Sequence, residues 1–286
     1  MWRRIAGVVM TTEPRRTTSG GISLLRAGGA RGRPLVLLHG IGSNALSFAA
    51  MMTALSASRP LLAWDAPGYG NSVPLSGDWP SVDDYAEALS GLLDRLEIHA
   101  VDLLGHSMGA LVAGRFARNF PKRVARLILA SPALGYGTRP GEPLAPPAAA
   151  RLDAMVAEGA EQFAASRGPR LVHAVENAKL VAGVVKGMSE VKLPGYAQAS
   201  RMLSCADLVG DAGQIAMPTL VLVGGEDQVT PPKNCLRLYN AIAEATPSLG
   251  HRFETIPDAG HAVPQERPLV VADLVAAFAP PAPAES

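Results

Sequence analysis

Five short runs of this chain are apolar almost without interruption. They are residues 34–40 (PLVLLHG), 61–68 (LLAWDAPG), 100–107 (AVDLLGHS), 124–132 (VARLILASP) and 219–227 (TLVLVGGED). A strand with one wet face alternates polar and apolar residues, whereas a strand covered on both faces has no reason to. Segments with helical spacing separate the first four runs, at about residues 47–56, 82–96 and 108–119. Such alternation predicts an α/β fold: a parallel sheet with right-handed crossovers and helices on both faces. A last strand is expected at 252–260 (RFETIPDAG), followed by a helix over 268–278. With 48% hydrophobic and 18% charged residues, the 286-residue chain can fill one large core, so a single α/β domain is favoured over two independent ones.

The alternation stops between residues 134 and 213. A Gly/Pro-rich exit at 135–147 (GYGTRPGEPLAPP) leads into helical stretches at about 148–159, 161–167, 171–185 and 195–208, with no strand-like run among them. The expected organisation is a core of residues 1–134 and 213–286 carrying a helical insertion at 135–212. At the N-terminus, residues 5–10 are too short an apolar run for a signal peptide and meet Glu13 and Pro14, so they read as an edge strand. The proline-rich tail APPAPAES reads as frayed. No run approaches the ~20 apolar residues of a membrane span. The net charge of +1, without a block of one sign, predicts neither a nucleic-acid nor a membrane partner. Two cysteines, Cys205 and Cys235, do not make a disulfide framework and read as reduced thiols of a cytoplasmic protein.

Within the third apolar run the chain reads GHSMG, so Ser107 stands where a strand must turn sharply into a helix, with Gly105 and Gly109 on either side. Ligands of open parallel sheets bind outside the carboxyl ends of the strands. A serine at the apex of such a turn is held in a strained conformation that presents its hydroxyl. The helix that follows aims free N–H groups and its positive dipole end at the same place. This is the G-x-S-x-G pattern of a nucleophile elbow. The plainer alternative is that Ser107 only caps the helix.

A serine nucleophile needs a base, and the base an orienting acid. Of six histidines, His261 follows the last expected strand and so lies at a strand carboxyl end. Asp227 ends the penultimate strand and is the favoured acid; Glu226, one residue earlier, is its rival. Acyl transfer also needs donors for the oxyanion. The N–H of Met108, next after the serine, and that of Ile41, after the first apolar run, are the candidates, with His39 bracing the Ile41 loop. Gly42, Ser43 and Asn44 are expected to shape the pocket floor, Asn44 either reaching substrate or closing an Asx turn.

The segments LLHGIGSN, WDAPGYGNS, GHSMGA, GGEDQVTPP and DAGHAVPQERP together resemble an α/β-hydrolase over nearly the whole chain. The resemblance implies an eight-stranded, mostly parallel sheet flanked by helices, with a helical cap after the sixth strand. It implies a Ser107–Asp227–His261 triad with Ile41 and Met108 as oxyanion donors and a small-molecule substrate; no cofactor is expected, because no metal or nucleotide motif occurs. Serine at position 107 argues against the aspartate-nucleophile dehalogenases and epoxide hydrolases. Enol-lactonases, carboxylesterases and meta-cleavage C–C hydrolases of aromatic degradation are closer in pattern. C–C hydrolases often carry Asn before the nucleophile and Trp after the histidine, where this chain has His106 and Ala262. Ester or lactone cleavage is therefore the leading expectation, with C–C cleavage or a non-catalytic hydrolase-like receptor as alternatives. The cap is expected to roof the pocket with Met155, Phe163, Met188, Met202 and Leu203. Arg167, Arg170, Lys192 and Arg201 are candidates to clamp a substrate carboxylate, as in related enzymes acting on acidic lactones. Candidate substrate contacts are Asn44, His106, Met155 and Arg201. The spacing of His and Cys gives no zinc motif, and no phosphate-binding glycine loop occurs. The oligomeric state is left open, a homo-oligomer included.

Overall fold

The computed structural model describes residues 13–29 and 32–280. The strand expected at 5–10 and most of the tail lie outside the described residues. Among the described residues eight strands form one sheet: β1 (Arg15–Ser19), β2 (Ile22–Ala27), β3 (Leu35–Leu38), β4 (Leu61–Trp64), β5 (Val101–His106), β6 (Val124–Ala130), β7 (Thr219–Gly224) and β8 (Arg252–Ile256). Their spatial order is β1-β2-β4-β3-β5-β6-β7-β8. β1 and β2 pair antiparallel, as do β2 and β4; every other pair is parallel. The hairpin between β1 and β2 turns on Gly20 and Gly21, both at positive φ, which is the backbone demanded by a tight two-residue hairpin loop. That Gly-Gly signal was legible, but the hairpin was not among the expected elements.

Among the described residues ten α-helices accompany the sheet: α1 (Ala49–Leu55), α2 (Val82–Arg95), α3 (Met108–Asn119), α4 (Pro146–Arg167), α5 (Ala178–Ser189), α6 (Leu193–Cys205), α7 (Leu208–Asp211), α8 (Pro232–Ala245), α9 (Val263–Glu266) and α10 (Pro268–Phe278). The continuous apolar strands are explained by two cores, one on each face. Leu35 and Leu37 of β3 pack with Met51 of α1 and Val271 and Val275 of α10. Val36 and Leu38, facing the other way, pack with Leu89 and Leu93 of α2 and Phe116 of α3. Leu35, Leu37 and Leu38 are fully buried, and each such side chain contributes roughly 1.5–3 kcal/mol. Neither face can therefore become polar without loss of stability.

Between β6 and β7 the chain leaves the sheet and builds α4 to α7. α4 is broken at Gly159 (φ 72°, ψ 167°), where the sequence predicts one helix ending and another about to begin. The helix expected at 171–185 is displaced. Residues 168–171 form a short 3-10 turn, and α5 starts only at Ala178, where the Asn177 side chain accepts from Leu180 N at 3.1 Å. The intervening backbone is held elsewhere. His173 and Ala174 donate their N–H groups to the Glu266 carboxylate at 3.0 and 2.7 Å. A tertiary tether thus overrides local helix propensity. Among the described residues no helix is long and apolar enough to cross a membrane.

Candidate active site

Ser107 sits between β5 and α3 at φ 53°, ψ −115°, a conformation that side chains rarely adopt. Its N–H donates to the Ala130 carbonyl at 3.0 Å, and its own carbonyl accepts from Ala133 N at 3.2 Å, so β6 holds the turn in place. The flanking glycines are required by space. A Cβ on Gly105 would stand 2.3 Å from the Gly109 oxygen, and a Cβ on Gly109 would stand 2.2 Å from the Leu38 oxygen. The Ser107 hydroxyl makes no capping bond to α3. Instead it lies 2.9 Å from His261 Nε2, which disposes of the helix-cap alternative.

His261, 6% exposed, comes from the loop after β8. Its Nδ1 is 2.9 Å from Asp227 Oδ2, and Asp227, on the loop after β7, is 1% exposed. Because a carboxylate only accepts, Nδ1 carries the proton and Nε2 is free to accept from the serine. Glu226 is exposed and takes no part. Burial alone would raise the Asp227 pKa. The neighbouring His261, its hydrogen bond and those from Thr230 outweigh that and hold it at about 2. Asp227 Oδ1 accepts from Val229 N at 2.8 Å and Thr230 N at 2.9 Å, and the Thr230 hydroxyl lies 2.8 Å from Oδ2. Thr230 was absent from the sequence reading. Its signal was the three-residue spacing from Asp227, which suits an Asx-type turn.

On the other side of the serine, the Gly40–Ile41 peptide lies against the elbow: a Cβ on Gly40 would be 3.1 Å from Ser107 Cβ. His39 Nδ1 donates to the Gly40 carbonyl at 2.8 Å, and His39 Nε2 accepts from Ala66 N at 3.0 Å. In a trans peptide C=O and N–H point oppositely, so anchoring Gly40 O on His39 turns the Ile41 N–H away from His39. The Tyr69 hydroxyl donates to Ile41 O at 2.7 Å and holds the next peptide too. Met108 begins α3 with its side chain fully buried. Its N–H is one of the helix's unsatisfied first donors.

His106 lines the cavity above Ser107, but its Nε2 is engaged, donating to the His261 carbonyl at 2.8 Å. It therefore positions the His261 loop from below. Burial, then the nearby His261, push its pKa down to about 3. The unfolded chain would bind this proton near pH 6.5, so between about 6.5 and about 3 the unfolded state carries a proton that the folded state refuses. Stability should then fall with acidification by up to about 1.4 kcal/mol per pH unit from this group. Urea unfolding of His106→Asn between pH 7 and pH 5 is expected to show a shallower decline than wild type. Parallel declines would refute the assignment.

The same loop is tied to the insertion. Glu266 accepts from Gly260 N at 2.7 Å as well as from His173 and Ala174, and Ala262 N donates to Leu171 O at 2.7 Å. Glu266 was also missed. Its contacts to His173 and Ala174 join positions 93 and 92 residues apart, which no local pattern records. Glu266→Ala is expected to cost about 1–3 kcal/mol locally and to speed amide exchange at Gly260 and Ala174 by roughly tenfold or more. Unchanged protection at both amides would count against the tether.

A cavity of about 410 Å³ opens over Ser107 and His261, roofed by α4, α5 and α6. Phe163, Met188 and Leu203 line it, as the sequence suggests, and so do Arg167 and Arg170. Five expected contacts need correction. Met155 and Met202 are buried and are not among the residues that line the cavity. Arg201 turns outward, donating to the Asp78 carbonyl at 2.7 Å and lying over the Trp79 ring. Asn44 caps the short helix at 45–48 by accepting from Leu46 N, and its amide donates to Glu190 at 3.1 Å. It lines a smaller neighbouring cavity. Lys192 likewise points elsewhere, onto the Gly70 carbonyl.

Residues 31–268 match the sequence pattern of the family described as serine aminopeptidase, S33. The dihydrolipoyllysine-residue acetyltransferase component of the acetoin cleaving system of Pseudomonas putida is 32% identical over 255 residues, covering 84% of this chain and 65% of that protein. This chain thus spans just under two thirds of that relative's length. Among solved structures, an esterase from Thermogutta terrifontis superposes with a TM-score of 0.78 at 26% identity, covering 93% of this chain and 97% of the other. The enol-lactonase from Burkholderia xenovorans LB400 superposes with a TM-score of 0.79 at 25% identity, covering 92% and 99%.

Proposed function

From the premise that this chain belongs to the α/β-hydrolase family whose serine aminopeptidase, S33 pattern it carries, we propose that it is a serine hydrolase. Its substrate is a carboxylic ester or enol-lactone of a small organic molecule, cleaved through an acyl-enzyme on Ser107. The observation that carries this reading is the unbroken relay Ser107 Oγ–His261 Nε2–Asp227, with both contacts at 2.9 Å. The similarity to an esterase and an enol-lactonase supports the choice of bond.

His261 Nε2 takes the hydroxyl proton as Ser107 Oγ attacks the carbonyl carbon. The N–H groups of Ile41 and Met108 receive the developing oxyanion, each such donor being worth roughly 3–4 kcal/mol where measured in a protease. The imidazolium then protonates the departing alcohol or enol oxygen. Water, deprotonated by the same nitrogen, attacks the acyl carbon and frees the acid and Ser107. Asp227 stays ionised throughout and stabilises the imidazolium. Residues 135–212 act as the cap that covers the reacting carbonyl. The free thiols of Cys205 and Cys235 support a reducing, cytoplasmic setting.

The test is to incubate the protein with a fluorophosphonate, map the adduct by mass spectrometry, and screen p-nitrophenyl esters of graded length together with lactones. The expected adduct is on the peptide containing Ser107, with turnover of at least one ester or lactone class. An adduct elsewhere would refute the assignment of the nucleophile, and labelling without any turnover would point to a receptor.

A further inference from the structure

Tyr196, on α6, lines the cavity over Ser107 and is 1% exposed. A buried tyrosine hydroxyl ordinarily finds a hydrogen-bond partner within the protein. This one has none among the described residues. Nor is its oxygen sealed in the core, as the unpartnered Tyr85 hydroxyl is. The little surface that Tyr196 keeps opens onto the cavity.

The ring is held where it is by its own helix. α6 lies tight against the loop after β4: a Cβ on Gly195 would stand 2.2 Å from the Gly68 oxygen. The Gln198 amide donates to the carbonyls of Leu75 and Gly77 at 2.8 and 2.7 Å. Phe163 of α4 meets the Tyr196 ring edge-on, with the ring centres 5.6 Å apart. A donor fixed in this way needs little reordering when it binds. Burial raises the Tyr196 pKa against the opposing pull of Arg151 and Arg167, so the phenol keeps its proton and can donate it.

The hydroxyl supports nothing in the fold. Its neighbours on the wall, Phe163 and Leu203, are apolar, and a phenylalanine would fill the same space. Water in the cavity can serve the hydroxyl while the site is free. A substrate that expels this water must bring an oxygen of its own or leave the hydroxyl unpaired, which is costly. One phenol offers one hydrogen bond, which suits an uncharged acceptor better than an ion that needs several.

We infer that the substrate carries an uncharged carbonyl or ether oxygen apart from the bond that is cleaved, and that the Tyr196 hydroxyl donates to it. The contact fixes how the substrate lies in the cavity and selects it over an all-carbon analogue. This inference rests on the serine-hydrolase reading and names its substrate class.

The experiment compares the p-nitrophenyl esters of 4-oxopentanoic, 5-oxohexanoic and 6-oxoheptanoic acids with those of pentanoic, hexanoic and heptanoic acids, in which CH₂ replaces the ketone. The reading is the ratio of kcat/KM values, oxo over alkyl, at each length. Any intrinsic difference in reactivity is common to wild type and variant, so it cancels between them. Tyr196→Phe should lower the ratio about 2- to 12-fold at one length or more, the range of one net hydrogen bond. Its urea midpoint should match or exceed that of wild type, because no bond within the protein is lost. A ratio unchanged at every length would overturn the proposal. A midpoint well below wild type would place the hydroxyl's partner inside the fold and overturn it as well. A second arm separates the inference from the hydrolase reading. Ser107→Ala protein labelled with carbon-13 at tyrosine Cζ is titrated with the methyl esters of the same acids. The resonance that Tyr196→Phe removes should shift with an oxo ester and not with its alkyl counterpart. If wild type cleaves no ester and Ser107 takes no fluorophosphonate, the hydrolase reading fails, and that selective shift would still uphold the Tyr196 contact. A resonance that answers both esters alike, or neither, would reject it.

Discussion

Replacing Ser107 by alanine is expected to lower ester turnover by roughly 10⁴- to 10⁶-fold and to abolish fluorophosphonate labelling, with the fold intact. The loss is this large because the hydroxyl is the only nucleophile that the relay serves. Cys235, the buried thiol nearest in sequence to Asp227, has its pKa raised to about 12, chiefly by burial. Its Sγ points at the Thr230 carbonyl, 3.3 Å away, so it offers no thiolate in reserve. The fold should survive because the strain at position 107 belongs to the backbone, at φ 53°, and alanine tolerates that angle about as well as serine. What disappears is a single hydrogen bond to His261, worth about 1 kcal/mol. The measurements are initial rates, adduct mass and urea midpoint. Turnover within tenfold of wild type by a variant freed of contaminating esterase would mean that the nucleophile is elsewhere.

The second large effect is expected for Asp227→Asn. Asp227 Oδ1 accepts two backbone N–H groups at 2.8 and 2.9 Å. An asparagine there must keep its oxygen on those donors, so its NH₂ faces His261 Nδ1. That nitrogen is then forced to accept, the proton moves to Nε2, and Nε2 can no longer take the proton of Ser107. A wrong tautomer of this kind costs about 10⁴-fold in kcat in a serine protease, and a loss of similar size is expected here. Nitrogen-15 shifts of His261 should show protonated Nε2. Normal shifts with normal kcat would remove Asp227 from the relay. The substitution should also change acid stability. The folded pKa of about 2 lies below the ordinary carboxylate value of 3.8, so the stabilisation is present above about pH 4 and is lost as pH falls toward 2. Asp227→Asn should be less stable at neutral pH and flatter over that acid window.

The strands around Ser107, Asp227 and His261 could be read from the chain because each is coded locally. Buried parallel strands are unbroken apolar runs, and the loops at their ends carry the polar residues. The glycines at 105 and 109 were legible for the same reason, since their spacing is fixed by a single turn. The cap was far less legible. α4 buries only Ala148, Met155, Phe163 and Ala164, a set too sparse to mark which side of the helix faces the cavity. Hence Met155, expected in the pocket, is buried outside its lining, and Arg201, expected inside, turns outward. The start of α5 was misplaced because Glu266, from beyond β8, holds the backbone at 173–174.

From sequence alone came the α/β class, the strained turn at Ser107, and the placing of Asp227 and His261 on loops at strand ends, all properties of one strand and the loop it enters. Only the tertiary structure decided that Thr230 bonds to Asp227, that His106 holds the His261 carbonyl, and that Glu266 fastens the insertion to the His261 loop. Periodicity reports which side of an element is buried. It cannot report which of two buried surroundings, solid core or open cavity, that side will meet, because that depends on how separately folded elements dock.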